Sequence, residues 1–439
     1  MRTRRSDVLG HISRVAIIAL FCVALVSPTQ AVFTLDATFN GGKVTVSFPN
    51  SSSNYTSQAF RVFVQPGGRI LLGGSFTNGT ADGQLGGVAS VGLTQAGELD
   101  AGYGSGGRFT AWRSDANTNP RDALMYPDGS TLYITQVFRL PVGSSTVEAF
   151  RLSENGGFDS VFAANVSIGP CCIGFFNARP VQIAVQSDGK ILALITDQGE
   201  YFLYRLNADG TRDTTFGNNG VAGLVFNKFS PNLVEMIALN DGKILFVGHV
   251  APFDTNLGSS ELFFARLTQT GSWDKTFGRA GMLRVPFASG VTGIVRKAIV
   301  QSDGKILLSG NVVSSDADVW VARFRPNGRR DTGFGENGVV IHDFAAGDAD
   351  IANSIAISAD GKIRIAGQIG QSTPSFLVAR FSANGTLEDQ TSISFTTGQY
   401  AVAQDIALQQ DGKLLVAGYA RNPNMSITGS VMAIARFIE

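Results

Sequence analysis

Seven times along these 439 residues an apolar run stops at a tight glycine turn and resumes as a second apolar run. The turns are Gly67-Gly68, Asp128-Gly129, Asp188-Gly189, Asp241-Gly242, Asp303-Gly304, Asp360-Gly361 and Asp411-Gly412, and their second glycines stand 61, 60, 53, 62, 57 and 51 residues apart. A period that fills the chain marks a repeat architecture. Asp-Gly between alternating apolar runs signals a hairpin, for which a type I′ turn with positive φ at both central residues is the expected form. The 52 glycines and the low charged fraction of 16% suit an all-β chain of short strands and tight turns.

One unit reads IAISADG, KIRIAGQ, FLVARFSANG from Ile355 onward, and the preceding unit supplies the ending RRDTGFGENGVVIHDF. Alternation and β-branched residues predict four strands per unit and no helix. Seven four-stranded antiparallel units describe a β-propeller around a central channel. A β-solenoid is the alternative, and it would need capping at both ends. The ends of the sequence favour the propeller. The seventh unit stops at its third strand, Ile434-Ala435-Arg436-Phe437, while the missing turn and fourth strand stand at Asp36–Phe39 and Val44–Phe48. The N-terminal strand is therefore expected to complete the last blade, which removes the open edges of a linear array.

A second constant feature lies between strands three and four. Arg151, Arg205, Arg266, Arg323 and Arg380 are each followed five residues later by Gly, and Gly92 replaces the Arg in unit one. Three residues after that Gly come Asp100, Asp159, Asp213, Asp274 and Asp331, with Glu388 in unit six. An aromatic follows three later at Tyr103, Phe162, Phe216, Phe277 and Phe334, and Phe39 matches it at the N-terminus. The Asp suits a turn-holding acceptor, the Arg a partner for it, and the aromatic a plug between blades. A feature present in nearly every unit reads as architecture rather than as calcium ligation.

The pattern A-I-x-x-D-G-K-I-L-x-x-G … V-A-R-F-x-x-N-G-x-x-D-x-x-F-G-x-x-G resembles the delta-60 repeat of bacterial secreted proteins. The resemblance spans residues 32–439 and is closest from Met236 to Phe381. It implies a propeller and export, and brings no catalytic residues with it. The strand order resembles that of NHL-type propellers, which implies that the strand before each Asp-Gly turn is innermost.

Residues 1–31 read as a secretory signal peptide, leaving 32–439 as a single propeller domain. Arg2, Arg4, Arg5 and Arg14 precede an apolar stretch from Val15 to Val26, and Ser27–Ala31 offers a small-residue cleavage site. That stretch is shorter than the ~20 residues a membrane span needs. The remainder carries 31 basic and 34 acidic residues with no basic stripe, which argues against nucleic acid. Its only cysteines are Cys171 and Cys172, which either form a vicinal disulfide or stand as two idle thiols.

Under the NHL-like order, the loops entering strand one and joining strands two and three share one face. They vary most among the units: Pro49–Ser57, Arg113–Pro120, Gly169–Pro180, Ala251–Ser260, Ser314–Asp318 and Ala345–Asn353. Variable loops on a rigid scaffold are where binding usually lies. The acids on that face, Asp254, Asp316, Asp318, Asp348 and Asp350, lack EF-hand spacing and read as solvated loop residues. Seven before each turn's last Gly stand Arg61, Asp122, Gln182, Glu235, Lys297, Ser354 and Asp405, all polar and each within an apolar strand. They are expected to ring the channel mouth, either as a self-neutralising solvated collar or as a small-ligand or cation site. Two histidines in different units, His249 and His342, give no catalytic set by spacing. The expectation is an exported, monomeric, non-catalytic binding or scaffold module without a cofactor. It would act in the periplasm or cell envelope, at the cell surface or outside the cell, with a surface protein or glycan as partner. The alternative is a propeller hydrolase or lactonase holding a divalent metal at the channel mouth.

Overall fold

The computed structural model describes residues 32–439 apart from 49–55, 81–82, 113–115, 140–143, 167, 169–177, 227–228, 252–259, 288–291, 314–316, 396–399 and 422–428. Seven antiparallel sheets follow one another along the chain. In each, the strand before the glycine turn comes first in the sheet order, and consecutive first strands touch around a closed circle. The first strands are Thr56–Val64, Ala116–Met125, Arg179–Val185, Pro231–Ala238, Thr292–Val300, Asp350–Ile357 and Ala401–Leu408, for blades one to seven. The fold is the expected seven-bladed propeller with these strands innermost.

The last blade is completed from the other end of the chain. Lys43–Val46 pairs antiparallel with Ser430–Ile438, placing Val44 opposite Ile434, and Thr34–Leu35 extends the same pairing. Phe33, Phe39, Val44, Val46 and Phe48 are all buried there. The N-terminal strand thus covers an edge that would otherwise be free to pair with another chain.

The Asp-Gly hairpins sit where expected but take another form. Only their glycines have positive φ, for example Gly129 at 81° and Gly189 at 81°. Each glycine N–H bonds to the carbonyl three residues back, as Gly129 does to Tyr126 (2.9 Å). This is the three-residue hairpin loop with a left-handed glycine. The Asp stays at negative φ, and its Oδ1 accepts the N–H two residues on, as Asp188 does from Lys190 (3.1 Å). Blade three has a two-residue hairpin with both central residues at positive φ, but at Gln198 (49°) and Gly199 (85°).

Blade two departs from the four-strand plan. Its described strands are Ala116–Met125, Thr131–Arg139 and Ser144–Leu152, followed by a helix at Ser160–Asn165. The physical reason lies in the turn. Blades three, four and five carry F-G-x-x-G there, and Gly217 adopts φ 54° at a place where a Cβ would lie 2.2 Å from the Val221 carbonyl. Blade two has Ala163 at that position, so the turn is sterically closed to it. The chain winds into a helix instead, capped by Asp159 Oδ1 accepting from Phe162 N–H (2.9 Å). Beside it, Val147, Glu148 and Phe150 line a cavity of about 560 Å³, half polar and half apolar, where other blades hold a fourth strand.

Candidate functional site

Two sets of polar groups recur around the ring, one at the blade rims and one along the channel. At the rim each blade builds a clamp. Arg205 Nε bonds to Asp213 Oδ2 (2.7 Å), Arg266 to Asp274 (2.8 Å), Arg323 to Asp331 (2.8 Å), Arg151 to Asp159 (2.9 Å) and Arg436 to Asp36 (2.8 Å). The Asp also holds its own turn: Asp213 Oδ1 accepts from the Thr215 N–H and hydroxyl. The guanidinium then reaches into the next blade. Arg205 Nη1 donates to the Gln269 carbonyl (2.6 Å), Arg323 to Ala383 (2.6 Å) and Arg436 to Gln95 (2.5 Å). Each of these guanidinia lies over its blade's aromatic ring, Arg205 over Phe216 at 4.4 Å and Arg436 over Phe39 at 4.6 Å. The ring in turn packs on the left-handed glycine of the next blade, Phe216 under Gly271 and Phe334 under Gly385.

Two blades assemble the clamp from unexpected places. In blade one, a Cβ at Gly92 would meet Tyr103 at 2.6 Å, so that position has no room for Arg. Arg69, immediately before the second strand, takes Asp100 instead (2.6 Å) and donates to the Glu154 carbonyl of blade two (2.9 Å). In blade six no aromatic follows Glu388, and Phe33 from the N-terminal segment lies under Arg380 at 5.3 Å. The spacing of Arg69 matches the lysines after the Asp-Gly turns of blades three to seven, its one sequence signal. Phe33 gave none.

Burial of these Asp carboxyls opposes ionisation, but hydrogen bonds and the Arg charge outweigh it and hold Asp213 and Asp274 well below the usual range. Asp36 follows the same balance, with Thr38, Lys413 and Arg436 bringing it to about 2.

The seven channel residues do form one belt, but inside the channel rather than at its mouth. Each stands three residues before the end of its inner strand. Every inner strand carries a register shift immediately before it, as between Pro120 and Asp122 or between Leu233 and Glu235. Such a bulge bends the strand and re-aims the side chain that follows. Asp122, Gln182, Glu235, Ser354 and Asp405 are buried, and Arg61 and Lys297 are half-buried, so the belt is not the solvated collar.

Its members bond to one another and to the next blade's backbone. Arg61 pairs with Asp122 (2.6 Å), Gln182 donates to Glu235 (2.5 Å), Lys297 donates to Glu235 (3.0 Å), and Ser354 donates to Asp405 (2.9 Å). Asp122 Oδ2 accepts from Ile183 N–H (3.0 Å), Asp405 Oδ2 from Val62 N–H (3.0 Å), and Gln182 Oε1 from Met236 N–H. Inner strands have one unpaired edge facing the channel, and these side chains satisfy part of it. Burial alone would weaken the Arg61 guanidinium, but Asp122, Asp405 and Glu235 raise its pKa above the ordinary value.

Elsewhere, Asp350 is buried rather than solvated and accepts from Phe344 N–H (2.6 Å) and Ala345 N–H (2.9 Å), folding its own loop. Asp348, half-buried, accepts from Ala349 N–H (2.8 Å) and from Gln371 N–H of the neighbouring loop (2.8 Å). Burial, then Arg296, lowers His249 to about 4, so it is neutral at pH 7. Among the described residues no three His, Cys, Asp or Glu side chains converge as a metal site. Cys171 and Cys172 lie outside the described residues, as do Asp254, Asp316 and most of the variable loops.

Four stretches, 186–216, 239–277, 301–334 and 358–389, match the family profile described as "Domain of unknown function (DUF5122) beta-propeller". This chain is a β-propeller repeat protein. The matched stretches begin at the hairpin of blades three to six and end at or just past the clamp, so the family signature coincides with the architectural residues. No curated protein matches the sequence. Among solved structures, this propeller is similar to a protein of unknown function from Dyadobacter fermentans (10% identity, 90% of this chain and 97% of that one, TM-score 0.46). It is also similar to the β-propeller domain of the Trilobed protease from Pyrococcus furiosus (10%, 85% and 91%, 0.44) and to a family PL25 ulvan lyase (10%, 87% and 97%, 0.44). At these scores the likenesses carry no argument, and the fold rests on the sheet order itself. Among the described residues no helix is long and apolar enough to cross a membrane.

Proposed function

We propose that this propeller is an exported, non-catalytic binding or scaffold module, with residues 1–31 a cleaved secretory leader. It acts as a monomer and meets a surface protein or glycan with its variable face. One observation carries this reading. The channel acids, which a propeller enzyme would use, are already engaged: Asp122 by Arg61 and Ile183 N–H, Glu235 by Gln182 and Lys297, Asp405 by Ser354 and Val62 N–H. A buried carboxylate that already accepts from a cation, an amide, a hydroxyl or a backbone N–H is poorly placed to ligate a metal or move a proton. The rim clamps use the polar groups of the opposite face in the same way, which leaves the variable face for recognition.

Two measurements on one preparation test this. Intact mass of the exported protein is expected to show a start near Val32. Metal analysis without chelator is expected to find well under one divalent ion per chain, with no turnover of lactones or esters. About one tightly held ion, together with turnover abolished by Glu235→Gln, would replace the module with the hydrolase reading.

A further inference from the structure

At the variable-face end of blades two and three the inner strands open onto a cavity of about 340 Å³, lined by Asn117, Asn119, Arg121, Gln136, Phe138 and Arg179. It lies at the lower end of the ~300–1,000 Å³ range of small-ligand sites. Its walls are set by register. Asn117 stands opposite Phe138 and Asn119 opposite Gln136 across the first hairpin of blade two. Arg121 is the extra residue of the bulge that precedes Asp122, and Arg179 opens the inner strand of blade three.

The lining carries two cations and three amides. Arg121 and Arg179 are exposed, and neither guanidinium has a carboxylate or hydrogen-bond partner among the described residues, unlike the rim arginines. No Asp or Glu lines the cavity. Asn117 Oδ1 is taken by Gly86 N–H (2.8 Å), so its NH₂ remains as a donor. Phe138 is half-buried and adds an apolar face beside these donors.

From this convergence we infer that the cavity binds an acidic sugar, its carboxylate or sulfate held by Arg121 and Arg179 and its ring set against Phe138. Guanidinia bind such oxyanions in planar, paired hydrogen bonds, which a lysine cannot reproduce. Both guanidinia line one cavity that holds no acid, so an anion there meets two cations and no carboxylate. Asn119 and Gln136 supply amides for ring hydroxyls. This inference rests on the binding-module reading and names the ligand class of that face.

The test uses the purified protein in calorimetric titrations with glucuronate, galactose 6-sulfate, glucose and sodium sulfate. Glucuronate or the sulfated sugar is expected to bind, more weakly as salt rises, and glucose not measurably. Arg121→Gln/Arg179→Gln is expected to weaken binding at least tenfold without moving the urea midpoint, because both side chains are exposed. Lysine at the two positions is expected to restore only part of the loss. Sodium sulfate binding as tightly as the sugars would reduce the site to a free-oxyanion site and overturn the sugar assignment. Glucose binding equally well, or acidic sugars binding undiminished to the double variant, would overturn the inference while leaving a binding module. No sugar binding, with a surface protein shown to bind elsewhere on the variable face, would overturn it in the same way. No binding of any kind to that face would remove both.

Discussion

Arg205→Ala is expected to destabilise the propeller by about 3–5 kcal/mol, the cost of breaking a buried ion pair from one side. Asp213, only 4% exposed, would keep its charge without the guanidinium. The blade would also lose the bond to the Gln269 carbonyl and the contact over Phe216. Lys190 Nζ remains 2.9 Å from Asp213 and partly compensates, which places the effect toward the lower end. Arg205→Lys is expected to recover less than half, since a point charge cannot span Asp213, Gln269 and Phe216 together. Urea unfolding of the three proteins measures this. A loss under about 1 kcal/mol would place Arg205 among ordinary surface ion pairs.

Removal of residues 32–48 is expected to abolish the monomeric fold. The segment buries Phe33, Phe39, Val44, Val46 and Phe48. At ~1.5–3 kcal/mol for each side chain their burial is worth roughly 8–15 kcal/mol, comparable with the whole stability of a domain. The Ser430–Ile438 strand would also be left as an open edge, so oligomers or aggregate are expected on size exclusion. A stable monomer lacking the segment would show that the ring does not depend on this closure. The same joint has an acid limit. Asp36 ionises at about 2 in the folded protein against 3.8 ordinarily. Its contribution is therefore present above pH ~4 and lost as pH falls through about 2. Asp36→Asn is expected to flatten the acid dependence over that window.

Much of this fold could be read from residue spacing, because a propeller repeats one solution seven times. The Asp-Gly turns, the Arg–Asp–aromatic triplet and the split seventh blade all left fixed intervals. Failures came where one blade solves the shared problem differently. Blade two writes Phe-Ala-Ala-Asn where blades three to five write Phe-Gly-x-x-Gly, and the positive φ demanded of Gly217 explains the helix. That substitution was visible in the sequence, while its consequence needed the close approach of the Val221 carbonyl. Arg69 and Phe33 replace missing clamp parts from outside the local pattern, and only the assembled ring brings them there. The channel belt was found by alignment on the hairpins, but its depth and bonding were not. Both depend on the bulge and on the neighbouring blade's backbone, which intervals within one unit do not encode. Arg121 was passed over because it precedes a belt residue and breaks no pattern of its own.

On this proposal the channel belt maintains structure, while recognition lies on the variable face between blades two and three. Asp122→Asn and Arg121→Gln, adjacent in sequence, separate these roles directly. The measurement is the urea midpoint of each variant together with its affinity for glucuronate. Asp122→Asn is expected to lose about 1.5–3 kcal/mol, as for hydrogen bonds to a charged group, with affinity within twofold of the parent. Arg121→Gln is expected to keep its midpoint and lose affinity. The reverse pattern, a stable Asp122→Asn that no longer binds and an Arg121→Gln that binds normally, would return the site to the channel.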